Sequence, residues 1–111
     1  MNTDRELLVL AAFAAGLTDL LGWHVYGGDA PYWLNDPKQS EPRYWNPLTD
    51  GNDALELSTK LKTRVEFHDG GVSAYIEGAV QGYFEDIHDN DFASATRRAI
   101  VRAAAEIGAT L

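Results

Sequence analysis

Arg64-Val65-Glu66-Phe67-His68-Asp69-Gly70-Gly71-Val72-Ser73-Ala74-Tyr75-Ile76-Glu77 is the stretch on which the fold turns. Val65 and Phe67 alternate with Arg64, Glu66 and His68; beyond Gly70-Gly71, Val72, Ala74 and Ile76 alternate with Ser73, Tyr75 and Glu77. A period of two sends successive side chains to opposite faces of a strand, and a glycine pair between two such runs marks a tight turn. The stretch therefore predicts a β-hairpin with one apolar and one polar face. Residues 79–85 continue it as a third strand, with Val80 and Phe84 facing one way and Gln81, Tyr83 and Glu85 the other, and Gly78 at the intervening turn or bulge. Hairpins need no helical crossover, so the sheet is expected to be mostly antiparallel. Its polar face would display His24, Tyr26, Arg64, Glu66, His68, Tyr75 and Tyr83.

Helical patterns lie on both sides of this hairpin. Thr3 followed by Glu6 has the spacing of a capping box, in which hydroxyl and carboxylate each satisfy a free backbone N–H, and good helix formers follow through residues 4–15 to a stop at Gly16. This helix is apolar nearly all round, with Leu7, Leu10 and Ala14 on one side and Leu8, Ala12 and Ala15 on another. It predicts burial on more than one face, and with it a homo-oligomer. Asp50 is placed to cap a second helix over Gly51–Leu61, whose Ala54, Leu57 and Leu61 fall near one stripe with Leu48, and whose negative end suits Lys60 and Lys62. A last helix over residues 92–108 follows Asp91, with Thr96, Ile100, Ala103, Ile107 and Leu111 inward and Arg98 and Arg102 on an outer face. Residues 17–44 are aromatic and rich in breakers, and two short strands are expected there, over residues 21–26 and 32–34. The expected fold is one α+β domain over residues 1–111: three helices with a mostly antiparallel sheet of about four to five strands, in the order helix, strands, helix, strands, helix.

Composition narrows the function mainly by exclusion. The 111 residues are 45% hydrophobic and 23% charged and contain no cysteine, which removes disulfides, zinc-thiolate sites, Fe–S clusters and a cysteine nucleophile. Seventeen acids against nine bases leave −8, a charge that repels bulk nucleic acid and anionic lipid. The charge is uneven: from Val65 to Thr96 there are seven acids and no lysine or arginine, and then Arg97, Arg98 and Arg102 arrive together. The longest apolar run, Leu7 to Ala15, has nine residues, where a membrane span needs about 20. Asp4 and Glu6 outweigh Arg5, unlike the start of a secretory signal, so a cytoplasmic protein without a membrane partner is expected.

Two further segments run Arg43-Tyr44-Trp45-Asn46-Pro47-Leu48-Thr49-Asp50-Gly51-Asn52-Asp53-Ala54-Leu55 and Ala95-Thr96-Arg97-Arg98-Ala99-Ile100-Val101-Arg102-Ala103-Ala104-Ala105-Glu106-Ile107-Gly108. A Trp-x-Pro-x-Thr-Asp stretch leading into a helix, then strands, then an Ala/Arg-rich final helix, resembles the small bacteriophage proteins grouped as the phage ABA sandwich domain. The resemblance implies an α/β sandwich, a phage or prophage origin and therefore the host cell cytoplasm. It implies no settled activity and no catalytic residues. Physical chemistry alone also accounts for the first segment: Trp45 anchors the loop in the core, Pro47 stiffens it, and Thr49 or Asp50 caps the helix. A ligand role for Trp45 or Asn46 is the alternative.

No cofactor is expected. The acidic loop Glu85, Asp86, His88, Asp89 and Asp91 departs from EF-hand spacing and reads first as a solvated loop ending in a cap. Glu66, His68 and His24 form a conceivable metal or acid–base set whose meeting nothing in the spacing enforces. The glycine pairs fit neither a P-loop nor a dinucleotide fingerprint, and there is no Gly-x-Ser-x-Gly elbow, so the reading leans away from an enzyme. A metal-dependent enzyme is the remaining catalytic reading. The leading expectation is a phage-encoded binding protein for a small anionic ligand or a host protein. In its sharper form it sequesters a host nucleotide signal, with Trp23, Tyr26, Trp33 or Tyr44 stacking on the base and Arg43, Arg97 or Arg98 toward phosphate, and Trp45 and Asn46 as further ligand-binding candidates. Arg97, Arg98 and Arg102 have a plainer role too, as neutralisers of the acidic loop before them. The alternative function is an acidic protein–protein module presenting Glu66, Asp69, Glu77, Glu85 and Asp86 as one face.

Overall fold

In the computed structural model, side-chain oxygens set the start of each helix among the described residues, which are 3–16, 45–76, 82–87 and 91–110 in full and three short strands by their backbone alone. Helix α1 spans Asp4–Ala14. The Thr3 hydroxyl oxygen accepts the Glu6 N–H at 3.2 Å, but the Glu6 carboxylate closes onto that same hydroxyl instead of the Thr3 N–H that a reciprocal capping box requires. Helix α2 spans Gly51–Leu61, where Asp50 accepts the Asp53 N–H at 3.0 Å, so Asp50 and not Thr49 is the cap. Helix α3 spans Phe92–Gly108, where Asp91 accepts the Ser94 N–H at 2.9 Å. Gly16 takes the left-handed φ of 75° expected of a stop after α1, and Lys62 does the same after α2 at φ 54°. Helix α1 itself ends one residue before the predicted Ala15, which serves as its C-cap.

The fold is α+β and its strand pairings are antiparallel. Strands β1 (Leu21–Trp23), β2 (Pro31–Trp33) and β3 (Arg43–Tyr44) form one ladder in that order, pairing Leu21 with Trp33, Tyr32 with Tyr44 and Trp33 with Arg43. Strands β4 (Thr63–His68), β5 (Gly71–Ile76) and β6 (Tyr83–Asp86) form another. The predicted hairpin is β4–β5, with Val65 opposite Ala74, Phe67 opposite Val72 and Asp69-Gly70 at its turn. Among the described residues β4 is an edge: it pairs with β5 alone.

Helix α3 is the centre of the molecule, packed against α1, against β5 and β6, and against α2. Its buried residues are Ala95, Ala99, Ile100, Val101, Ala103, Ala104, Ala105 and Gly108, while Thr96 and Ile107, predicted inward, are half-exposed. Leu111 lies outside the described residues. Alanine is a weak hydrophobic signal, so the faces closed by close packing do not stand out in the sequence. Gly108 shows how close that packing is, since a Cβ there would collide with the backbone carbonyl of Leu10. On α1 the buried set is Leu7, Leu8, Ala11 and Ala12, continued by the C-cap Ala15, a single stripe turned to α3. Leu10 and Ala14 are partly buried against the same core, so both sides of α1 expected to be covered are covered within the protomer, while Phe13 is exposed. The protomer's own α3 absorbs the apolar surplus.

The third strand also differs from its prediction. Ala74 pairs with Tyr83 and Val72 with Glu85, which places Tyr83 and Glu85 on the helix side and Phe84 on the open side, opposite Ser73. Alternation within a strand is legible, but the phase carried across a connection is not, and residues 77–81 lie outside the described residues. Phe67 shares the helix-side face with Val65 as expected, yet it is 63% exposed because α3 covers β5 and β6 more than the β4 edge. Among the described residues no helix is long and apolar enough to cross a membrane.

Candidate functional site

The loop before α2 is built from its own polar side chains. The buried Asp53 carboxylate accepts the Asn46 N–H at 2.8 Å, the Asn46 side-chain oxygen accepts the Leu48 N–H at 3.0 Å, and the Arg97 Nε donates to the Leu48 carbonyl at 2.9 Å. Trp45 is 2% exposed. Trp45 and Asn46 thus take the anchoring role, and Arg97 ties the loop to α3. Asp53 is the residue that sequence reasoning missed here; its one signal was an acid interrupting the first turn of an otherwise amphipathic helix.

Arg98 and Arg102, four apart on α3, both turn to β6. Arg98 reaches Asp4 at 2.9 Å and Glu85 at 4.0 Å, and Arg102 is hydrogen-bonded to the Glu85 carboxylate and lies over the Tyr83 ring. They line a cleft of about 400 Å³ between α1, α3 and β6, together with Leu7, Tyr83, Glu85 and Glu106. Burial, reinforced by the charge and hydrogen bond of Glu106, pushes the Tyr83 phenol above its ordinary value against the opposing pull of Arg102. Two arginines facing two glutamates leave the cleft balanced, with its cations already engaged by acids.

The open face of the β4–β6 sheet carries Arg64, Glu66, His68, Ser73, Tyr75 and Phe84. Arg64 lies over the Tyr75 ring at 4.8 Å and 3.4 Å from Glu66, while the His68 Nε2 and Ser73 Oγ share a hydrogen bond at 3.0 Å. Phe84 lies across Gly71 and Tyr75 across Gly82, places where a Cβ would strike the rings. Glu66 therefore pairs with an arginine, and His68 with a serine, in place of the conceivable metal set; His24 lies outside the described residues. Among the described residues no three His, Asp or Glu side chains gather into a group that would hold a metal. The single acidic face is not assembled, because Glu85 turns to the helices while Glu66 stands on the open face. Glu77, His88 and Asp89 lie outside the described residues.

Between β4, α2 and α3 runs an apolar groove of about 510 Å³, lined by Leu55, Val65, Phe67, Phe92 and Ile100. Leu55 is 65% exposed, Phe67 63% and Phe92 43%, and the two phenylalanine rings tilt together at 6.4 Å. The groove lies beside the β4 edge, whose backbone hydrogen bonds among the described residues run to β5 alone. Its sequence signals were faint: Leu55 lies off the apolar stripe of α2, and Phe92 directly follows the cap Asp91.

Of the predicted site residues, Trp23, Trp33, Arg43 and Tyr44 lie in β1–β3, where register alone places them, and Tyr26 is outside the described residues. Trp45, Asn46 and Arg97 gather at the α2 loop, and Arg98 sits in the charged cleft. No protein-family model, curated protein or solved structure matches the chain.

Proposed function

We propose that the chain is a non-enzymatic binding protein that takes an extended segment of a partner protein along β4 and seats that segment's apolar side chains in the adjoining groove. One observation carries this: three large apolar side chains, Leu55, Phe67 and Phe92, stand exposed around a groove beside a strand edge that is open among the described residues. Edge backbone groups supply main-chain hydrogen bonds to an added strand, and alternate side chains of that strand find pockets. Covering the part of these three side chains that is still exposed, roughly half of each, favours binding by about 1–2 kcal/mol apiece, before the entropy of ordering the segment is subtracted. An α/β sandwich ordered helix, strands, helix, strands, helix is the framework we propose for it, and the resemblance to phage ABA sandwich proteins supports a phage or prophage setting.

Titrating the isotope-labelled protein with extended peptides of alternating apolar residues tests the proposal. Amide shifts are expected at Thr63–His68 and around Leu55, Phe92 and Ile100, and Phe67→Ser should abolish them. A monomeric chain in which the peptides perturb none of these positions would remove the proposal.

A second reading, sequestration of a nucleotide, is favoured by the register that sets Trp33 opposite Arg43 in the first ladder. An aromatic residue and an arginine at paired positions of one face suit a base and its phosphate. A nucleotide at 100 times its Kd would stabilise the fold by about 2.7 kcal/mol, so a screen of cyclic and linear nucleotides that leaves the melting temperature flat discards this reading.

A further inference from the structure

We infer that the segment received by β4 is β4 of a second copy of this chain, paired antiparallel in a register centred on Val65. The inference rests on the reading of the β4 edge as a binding surface and names its partner. In a two-fold pair of edge strands the two copies share the faces of one continuous sheet. Each residue therefore meets one from its own face, and the axis must pass through a residue. Three centres fall in the middle of β4. Centring on Arg64 sets the two Arg64 side chains against each other, and centring on Glu66 does the same for the two glutamates; like charges directly opposite are destabilising.

Centring on Val65 removes both conflicts. Arg64 of each copy then stands opposite Glu66 of the other, Val65 meets Val65, and Phe67 stands opposite Thr63, so five residues of each strand are paired. Both charged side chains already stand on the open face, 3.4 Å apart within one copy and exposed by 70% and 41%, so the pairing brings four alternating charges together. On the helix side the same pairing covers Phe67, the more exposed of the two phenylalanines at the groove. The pattern Arg64-Val65-Glu66 is self-complementary about its middle residue, and that singles out a second copy among possible strand donors.

Sedimentation equilibrium of the whole chain at micromolar concentration, combined with charge swaps, tests this. The wild type is expected to run as a dimer of the 12.2 kDa chain. Glu66→Arg, which opposes two arginine pairs, should weaken the dimer about tenfold or more, and Arg64→Glu combined with Glu66→Arg should restore it. Because the chain has no cysteine, Val65→Cys provides an independent readout, a disulfide-linked dimer formed under mild oxidation. Circular dichroism confirms that each variant is folded. A wild type that stays monomeric yet binds the strand peptides overturns the second copy and leaves the edge-binding reading standing; a monomer that binds none of them overturns both. A dimer indifferent to Glu66→Arg and unlinked by Val65→Cys places the contact elsewhere and overturns the inference.

Discussion

Gly108→Ala sets two physical effects of opposite sign against each other. In an exposed helix, replacing glycine by alanine gains up to about 1 kcal/mol, because alanine loses less backbone entropy on folding. At Gly108 the added Cβ meets the Leu10 carbonyl, and a backbone group cannot rotate away as the tip of a side chain can. Accommodation requires α1 and α3 to separate along a seam of small residues that includes Ala11, Ala12, Ala104 and Ala105, each 3% exposed or less. Overpacking of a close-packed core costs about 1–3 kcal/mol, and a backbone obstacle belongs in the upper part of that range. The net expectation is a loss of about 1–2 kcal/mol, or a melting temperature lower by roughly 4–8 °C for a domain of this size. Gly51→Ala is the control, since a Cβ at that first position of α2 meets nothing within 4 Å; it should leave stability unchanged or raise it. Thermal and urea unfolding followed at 222 nm compare the two. If Gly108→Ala were as benign as Gly51→Ala, the close crossing of α1 and α3 would be wrong.

Trp45→Ala should cost about 3–5 kcal/mol, the usual loss for a large aromatic side chain removed from a core, read from the urea midpoint. Phe67→Ser should leave stability within about 0.5 kcal/mol, because the ring is already mostly in water, while removing peptide binding at the groove; a large loss of stability would mean the ring belongs to the core. Tyr83 predicts an alkaline effect. Its phenol is raised above 10.0, so its contribution is complete below that pH and is lost as pH rises through the folded value, since the unfolded chain releases the proton first. Tyr83→Phe should therefore flatten the decline in stability above pH 10, and urea titrations across that range on both proteins check it.

Particular residues show why some of this was legible and some was not. Asp50 and Asp91 announce their helices because a capping oxygen acts on N–H groups two or three residues away, a distance that sequence spacing encodes. The β4–β5 hairpin is legible for the same reason, its alternation and its glycine turn both being local. Tyr83 and Phe84 stand on the faces opposite to those the alternation predicts, because one residue of phase in the connection reverses a whole strand. Arg97, Arg98 and Arg102 read as a cationic group, yet their partners lie far apart in the chain at Leu48, Asp4 and Glu85, and those contacts turn the arginines into internal ties.

The sequence by itself determined the elements that short-range chemistry dictates: three helices with their caps, an antiparallel hairpin, the absence of cysteine chemistry and the Trp45 anchor. Tertiary structure decided which apolar side chains the core leaves in water. Leu55, Phe67 and Phe92 come from two helices and a strand, and each alone reads as an ordinary hydrophobic residue. Only the packing of α2 and α3 beside β4, an edge strand among the described residues, makes them one surface. Burial depends on what meets a side chain across the chain, and in 111 residues with an alanine-rich central helix that is set by how closely backbones approach, as at Gly108 and Leu10.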